Sequence, residues 1–254
     1  MNAYRNLSAK CYQIDKYVGK SFGDVEYYYE RVKNVAGKIL EPAVGNGRIM
    51  IPLLEKGLTV DGFDYSEDML QLAVANCQSR GLTPNLSKLD MTDFAIGQVY
   101  DAIIIPTGSF LLLDQLAKAK AALRCFYGHL AENGRLLVDI FLPEAAQKGF
   151  INKRTFVSGP DELITLEETL VATDAIQQVN TYHNRYEQWQ SGALLATELE
   201  LFPLKWYGVE EFRLLLAATG FTEITISANY HYGHYPTDPS QTITFEAKKP
   251  ARPE

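Results

Sequence analysis

A short apolar run that leads into a glycine-rich turn is the feature that most constrains this chain. Residues 38–40 predict a buried strand, and Gly45 and Gly47 predict a tight turn whose backbone N–H groups can approach a ligand at a helix N-terminus. A second apolar run, 58–63, ends at Asp64, whose carboxylate could accept hydrogen bonds from both hydroxyls of a ribose. This order of strand, turn, helix, strand and acidic residue predicts nucleotide binding.

Two classes of nucleotide compete for such a site, the dinucleotides and S-adenosylmethionine (SAM). A dinucleotide loop normally has a third glycine three positions after the second, and this chain has Met50 there. Glu41, at the exit of the first strand, would repel a pyrophosphate but could receive the ammonium of an amino-acid tail. SAM carries such an ammonium, so these residues favour SAM. A nucleotide-dependent oxidoreductase is the alternative interpretation.

At this point the chain resembles the class I SAM-dependent methyltransferases. Their first motif usually has an acidic residue followed four positions later by Gly-x-Gly, which Glu41, Gly45 and Gly47 match. Ala43 departs from this motif, since many members have glycine there. The resemblance implies a methyltransferase with SAM as its cofactor.

The resemblance also implies where the cofactor binds. It puts Asp90 near the adenine amino group and Met91 against the ring. Related enzymes close an N-terminal helix over SAM, which makes Tyr12 and Tyr17 candidate lid residues. The predicted cofactor-binding residues are Glu41, Ala43, Gly45, Gly47, Asp64, Tyr65, Met69, Asp90, Met91, Pro106, Tyr12 and Tyr17.

The alternation of apolar runs and turn signals predicts an α/β fold. Helices and strands alternate to about residue 141, which is typical of a Rossmann-like doubly wound sheet. The periodicity then changes to two residues, which predicts an inserted antiparallel β-meander with strands at 165–171, 176–189 and 194–204. Two final strands, 222–227 and 241–248, fit a C-terminal antiparallel hairpin. We expect an N-terminal helical lid (1–36), a SAM-binding Rossmann-like core (37–150), a meander covering the substrate site (151–206) and a C-terminal part of the core (207–254).

Composition favours a small-molecule acceptor over a nucleic acid. The net charge is −7 and no Lys/Arg cluster is visible, whereas nonspecific binding to nucleic acid needs a basic face. Small-molecule members of the family that the chain resembles, many of them N-methyltransferases, commonly insert a β-meander in this place. We therefore predict in-line methyl transfer to a nitrogen atom, with a noncatalytic SAM-binding regulator as the non-enzyme alternative. The residues predicted to bind the substrate are Thr107, Phe110, Tyr182, Trp206 and Tyr230.

The sequence assigns no catalytic base. An amine needs only to be neutral when it attacks, whereas a phenol or an alcohol usually benefits from a base. His183 and His231 are the candidates for such a base. Strand alternation sends Tyr182 and His183 to opposite faces, so at most one of them should face the pocket. His231 and His234 lie in a loop without an evident third ligand, so we expect no metal site.

Cysteine content and hydropathy favour a cytoplasmic protein. The three cysteines, Cys11, Cys77 and Cys125, are odd in number and lack Cys-x-x-Cys spacing, which suits a reducing compartment. No apolar run approaches the roughly 18 residues of a membrane span, and the first residues lack an apolar signal core, so we expect no membrane contact. An exposed meander with Tyr182, Tyr186 and Trp189 could also serve as a homodimer interface.

The choice of cofactor can be tested directly by calorimetry. We expect SAM and its demethylated product to bind with micromolar affinity, about −8 kcal/mol, and NAD not to compete. The glycine turn lacks the third glycine that would admit a pyrophosphate, while Glu41 suits an ammonium. Tight binding of NAD without binding of SAM would contradict the methyltransferase interpretation.

Overall fold

Buried apolar strands form the larger of two sheets. The computed structural model describes residues 4–143 and 148–251. Five strands run parallel to one another: β1 (Ile39–Pro42), β2 (Val60–Asp64), β3 (Asn85–Lys88), β4 (Tyr100–Ile105) and β5 (Leu130–Ile140). Every residue of β1 is buried, and so is nearly every residue of β4. Such runs are expected where helices cover both faces of a parallel sheet.

An antiparallel hairpin completes this sheet. Once β10 (Thr222–Ala228) and β11 (Ile243–Lys248) are included, the strand order is β3-β2-β1-β4-β5-β11-β10. β11 pairs antiparallel with both β5 and β10, whereas the dinucleotide-binding fold is built from two parallel βαβαβ halves. The predicted α/β class with a closing hairpin is confirmed.

Six α-helices flank the sheets in the described part of the chain. They are α1 (Asn6–Asp15), α2 (Asp24–Val32), α3 (Met50–Glu55), α4 (Glu67–Gln78), α5 (Leu116–His129) and α6 (Val209–Thr219). α4 begins beside the end of β2, where Ser66 Oγ accepts a hydrogen bond from Met69 N at 3.3 Å. None of the helices in the described ranges has both the length and the apolar character needed to cross a bilayer. Residues 1–3 of the predicted N-terminal segment lie outside the described residues.

The inserted sheet has one strand more than the sequence predicted. It consists of β6 (Ile151–Gly159), β7 (Glu162–Asp174), β8 (Val179–Gln190) and β9 (Ala193–Lys205), each antiparallel to the next. The prediction of three strands was wrong because β6 is an edge strand in which Phe156 alone is buried. A mostly polar, exposed strand has too weak an alternation to be recognised.

A buried ion pair ties the N-terminal region to the glycine turn. Arg48, which follows the turn, and Asp24, the first residue of α2, are both almost fully inaccessible to solvent. Arg48 Nη2 donates to Asp24 Oδ2 at 2.5 Å and Nη1 donates to Oδ1 at 3.1 Å. Burial alone would raise the pKa of Asp24, but these bonds to Arg48 hold that pKa below its usual value. The pair therefore stays ionised at neutral pH.

We expect Arg48→Met to lower the free energy of unfolding by about 3–5 kcal/mol, because it leaves the Asp24 charge buried and unpaired. Urea denaturation measures the loss. Because the pair depresses the folded-state pKa of Asp24, its contribution is present above the unfolded-state pKa and is lost as the pH falls through the folded-state value. The difference between the two proteins should therefore shrink in acid.

The control is Arg213→Met, which breaks the exposed pair between Arg213 Nε and Glu210 Oε2 (2.6 Å). Solvent screens that pair, so its loss should cost less than about 1 kcal/mol. Equal effects of the two substitutions would show that the Arg48 pair has no special role.

Candidate functional site

The turn after β1 adopts a left-handed backbone at three positions. The φ angles are +53° at Ala43, +59° at Gly45 and +84° at Gly47. A Cβ atom built on Gly45 would lie 3.3 Å from Met69 Cε and 3.9 Å from the ring of Tyr12. Glycine is needed there because a side chain would be strained and would fill the space between those two residues. The resulting gap lies at the C-terminal end of β1, where ligands bind in open α/β sheets.

The carboxylate of Asp64 connects this turn to the next strand. Asp64 Oδ2 accepts a hydrogen bond from Gly45 N at 2.9 Å, and Oδ1 accepts one from Ser66 N at 2.8 Å. The side chain is half-buried, and this desolvation raises its pKa despite the backbone bonds. Each carboxylate oxygen has more than one lone pair, so both can still accept a ligand hydroxyl. These bonds fit the predicted contact with a ribose.

Glu41 carries an acceptor without a partner. The residue is 1% exposed, and its Oε2 atom has no hydrogen-bond partner in the structure. Burial raises the pKa of Glu41 well above its ordinary value, although the nearby Arg48 guanidinium acts in the opposite direction. A buried carboxyl oxygen without a donor is costly, and an ammonium supplied by a ligand would relieve that cost. Glu41 does not itself line the cavities described below.

A cavity of about 310 Å³, the main cavity, lies between the glycine turn and the inserted sheet. Gly45, Asp64 and Met69 line its core side, and Tyr182 and Phe202 line the side formed by β8 and β9. Further lining residues come from the N-terminal region, the turn after β1, the segments after β4 and β5, and the inserted sheet with the residue that follows it: Tyr4, Tyr12, Lys16, Ala43, Thr107, Gly108, Ser109, Leu111, Leu112, Phe141, Leu142, Pro143, Asn180, Leu204, Lys205 and Trp206. The cavity therefore joins the two sheets.

A second cavity of about 180 Å³ adjoins the main cavity. The two share four lining residues, Tyr4, Ala43, Asp64 and Leu112. Besides Asp64, the second cavity is lined by apolar and acidic side chains at or just after the ends of β2 and β3, including Phe63, Tyr65, Leu89, Asp90 and Met91. An apolar slot with a carboxylate at its edge suits a flat heteroaromatic ring with an amino group.

Most of the residues predicted from the sequence line one of these cavities. Those on the main cavity are Tyr12, Ala43, Gly45, Asp64, Met69, Thr107, Tyr182 and Trp206. Those on the second cavity include Tyr65, Asp90 and Met91. Tyr230 instead lines an open groove that shares Thr107 and Phe141 with the main cavity.

The structure places several predicted residues elsewhere. Phe110 is fully buried against Tyr207 and Phe212, because the 3-10 turn at Ser109–Leu112 directs it into the core. Tyr17 is 53% exposed and follows the end of α1, where it contributes to neither cavity wall. Pro106 and Gly47 are buried outside both linings.

Neither candidate histidine lies in the main cavity. His183 is exposed and pairs with the exposed Leu201, so it lies on the outer face of the inserted sheet, opposite Tyr182. His231 is exposed in the loop after β10, and its ring centroid lies 5.9 Å from that of His234. Residues 4–143 and 148–251 contain no group of three or more His, Cys, Asp or Glu side chains that could hold a metal ion.

Several cavity residues that come from distant segments were not predicted from the sequence. They include Tyr4 and Lys16 in the N-terminal region and Asn180, Phe202 and Leu204 in the inserted sheet. The alternation in β8 and β9 could have predicted the last three. Asn180 lies on the same face of β8 as Tyr182, and the two residues of β9 lie opposite Tyr182 and Asn180 in register. Nothing in the local sequence around Tyr4 or Lys16 indicates that α1 lies over the cavity.

Two glutamates of β9 hold the N-terminal segment beside the cavity. Glu200 Oε1 accepts a hydrogen bond from Tyr4 N at 2.7 Å, and Glu198 Oε2 accepts one from Leu7 N at 2.9 Å. These bonds satisfy backbone N–H groups at and just before the first turn of α1, which have no partner within a helix. They also place negative charge at the positive end of the helix dipole. α1 and the inserted sheet therefore enclose the cavity together.

Asp139, near the end of β5, holds together the floor of the cavity, which is the group of residues where the main cavity meets the groove and includes Thr107 and Tyr230. It is fully buried, and Oδ2 accepts hydrogen bonds from Thr107 N at 2.9 Å and from the Tyr230 hydroxyl at 3.1 Å. Oδ1 accepts one from Thr244 Oγ1 at 2.6 Å. Burial raises the pKa of Asp139 to about 6 although these bonds favour the charged form. The carboxylate therefore fixes Thr107, whose φ is +54°.

Comparison with known proteins identifies methyltransferases. A methyltransferase-domain family model matches residues 39–134. A glycine/sarcosine N-methyltransferase of Aphanothece halophytica is 26% identical over 228 residues, which cover 87% of this chain and 80% of that protein. A S-adenosylmethionine-dependent methyltransferase structure from Clostridium acetobutylicum has a TM-score of 0.76 at 18% identity and covers 98% of this chain and 100% of its own. A sugar N-methyltransferase from Streptoalloteichus sp. has a TM-score of 0.72 at 23% identity, with 91% and 89% covered.

We expect Asp64→Ala to weaken SAM binding by about tenfold or more, since each lost charge-assisted hydrogen bond costs about 1.5–3 kcal/mol. Calorimetry of the folded variant measures the change, and circular dichroism checks the fold. Asp101→Ala is the control, because Asp101 also accepts a backbone hydrogen bond, from Gly37 N at 2.7 Å, and lies outside both cavities. A stable Asp64→Ala protein with unchanged SAM affinity would show that this carboxylate does not contact the ribose.

Proposed function

Because the chain belongs to the class I SAM-dependent methyltransferase family, we propose that it methylates a small-molecule acceptor in the main cavity, with a nitrogen atom as the target. The observation that carries this proposal is the position of the cavity. Gly45, Asp64 and Met69 line its cofactor side, and Tyr182 faces them from the inserted sheet. A volume of about 310 Å³ suits a small acceptor group next to a bound nucleotide tail.

SAM is the cofactor, and the residues of the two cavities fit it. Bound SAM supplies a methyl group on a positively charged sulfur. We assign the ribose to Asp64, the adenine ring to the slot with Asp90 and Met91, and the ammonium to the unpartnered oxygen of Glu41. The left-handed turn at Gly45 leaves room for the tail beside Tyr12 and Met69. The electron-rich face of the Tyr12 ring can also attract a cation.

The cavity wall supports nitrogen as the target atom. No histidine is among its described lining residues, and the carboxylate there, Asp64, already accepts two backbone hydrogen bonds. An amine brings its own lone pair and needs no strong base, whereas a hydroxyl usually benefits from one. The chain's task is then to hold the amine in line and to exclude water. The glycine/sarcosine and sugar N-methyltransferases among its relatives support the same target.

We propose that residues 151–206 cover the acceptor and that residues 1–36 act as the lid, both over a core formed by 37–150 and 207–254. The bonds from Glu198 and Glu200 to the N-terminal backbone support this division, because they join the lid to the cover. We place the reaction in the cytoplasm. Cys11, Cys77 and Cys125 are free thiols in the structure and would remain reduced there.

A turnover assay tests the proposed activity. The protein is incubated with SAM and a panel of small amines and their hydroxyl counterparts, and S-adenosylhomocysteine and the methylated product are detected by mass spectrometry. We expect turnover with an amine. Turnover with hydroxyl acceptors alone would overturn the choice of nitrogen. SAM binding without turnover across the panel would favour a noncatalytic SAM-binding regulator.

The acceptor wall can be tested with two adjacent residues. We expect Tyr182→Ala to lower kcat/KM for the acceptor by about tenfold, because it removes a large contact from the cavity, and to change SAM affinity little. His183→Ala, one position further on the outer face, should leave kcat/KM within about twofold. A larger effect of His183→Ala than of Tyr182→Ala would contradict this placement of the acceptor.

A further inference from the structure

The main cavity opens into a groove of about 470 Å³, the entrance groove. Lys16, Thr107 and Phe141 belong to both linings, so the two spaces are continuous. The remaining groove residues come from the stretch between the end of α1 and the start of α2, from β6 and from the loop between β10 and β11: Asp15, Lys20, Phe22, Asp24, Arg154, Asn229, Tyr230 and Thr242. An acceptor whose nitrogen reaches the main cavity would leave its other end in this groove.

The acidic residues of the entrance groove already have cationic partners. Asp15 pairs with Arg154 at 2.7 Å and with Lys20 at 3.6 Å. Asp24 forms an ion pair with the buried guanidinium of Arg48. Two carboxylates, Asp15 and Asp24, therefore face four cationic side chains, which are Lys16, Lys20, Arg48 and Arg154. The groove has an excess of positive charge in a chain whose net charge is −7.

Lys16 is the cation left without a counter-ion. Among the residues that the structure describes, no carboxylate lies within ion-pair distance of its ammonium, which is placed 5.3 Å from the centroid of the Tyr12 ring. Burial and the nearby Arg48 guanidinium lower the pKa of Lys16, with a smaller contribution from Arg154, and they outweigh the opposite effect of the Asp15 and Asp24 carboxylates. A half-buried ammonium beside two other cations is costly, and a bound anion would remove that cost.

We propose that the entrance groove binds an anionic group of the acceptor, a carboxylate or a phosphate, with the Lys16 ammonium as its partner. This inference rests on the proposed function and narrows its substrate class to amines that carry an acidic group. The anion would lie beyond Thr107, while the amine extends past this residue toward Met69 and Tyr182 in the main cavity. The charge at the entrance selects the acceptor, and the main cavity positions its nitrogen.

Anion titrations of the cofactor-product complex test the proposal. The wild-type protein saturated with S-adenosylhomocysteine is titrated with sodium phosphate and, separately, with sodium acetate at low ionic strength, where screening is weak. We expect at least one anion to bind with a millimolar Kd, and the stronger of the two identifies a phosphate or a carboxylate. Lys16→Met should weaken this binding by about tenfold or more, and Lys16→Arg, which keeps the charge, by less than about threefold.

Lys120→Met is the matched control, since Lys120 is an exposed lysine of α5 outside the cavities and should leave anion binding unchanged. The proposal is overturned if neither anion binds the wild type, or if Lys16→Met binds the anion as the wild type does. It is also overturned if Lys16→Met weakens SAM about tenfold without affecting the anion, because Lys16 would then serve the cofactor's own carboxylate. Failure of the wild type to bind SAM is a separate result, which would refute the proposed function itself.

Discussion

The hydrogen bond from Gly45 N to the Asp64 carboxylate fixes the turn on which the site is built. The left-handed backbone of this turn carries a steric cost at the non-glycine Ala43, and such a conformation persists only where neighbouring groups determine its shape. The Asp64 carboxylate, on the adjacent strand β2, determines the shape of the turn through its bond with Gly45 N. Its second oxygen accepts a hydrogen bond from Ser66 N, just before α4. The end of β2, the start of α4 and the loop after β1 are thereby held at one edge of the sheet. Both cavities include Asp64 in their walls.

The sequence was sufficient for the parts of the fold that have strong periodicity. The buried run of β1, the run of β2 that ends at Asp64 and the closing hairpin all follow from local patterns. Strand alternation also separated Tyr182 from His183, and the structure puts the first on the cavity and the second outside. β6 was missed because an exposed edge strand lacks an apolar face of its own.

The rest of the site could not be predicted, because it depends on contacts between segments far apart in the chain. Lys16 becomes a cavity residue only through the way in which α1 lies across the inserted sheet. Asp139 reads as an ordinary polar residue near the end of an apolar strand, and its role comes from Thr107, Tyr230 and Thr244. Phe110 illustrates the opposite error, since its position after β4 suggested a cavity wall while a single turn directs it into the core.

The position of β11 has a consequence for how the protein is made. Among the described strands it is the last in the chain, yet it lies between β5 and β10 in the sheet. Until the ribosome has released Ile243–Lys248, the edge of β5 has no partner and Asp139 lacks the hydroxyl of Thr244. A nascent chain can therefore form the glycine turn well before it can complete the floor of the cavity. A partly synthesised protein would therefore contain the residues that bind the nucleotide, while its binding site for the second substrate would still be incomplete.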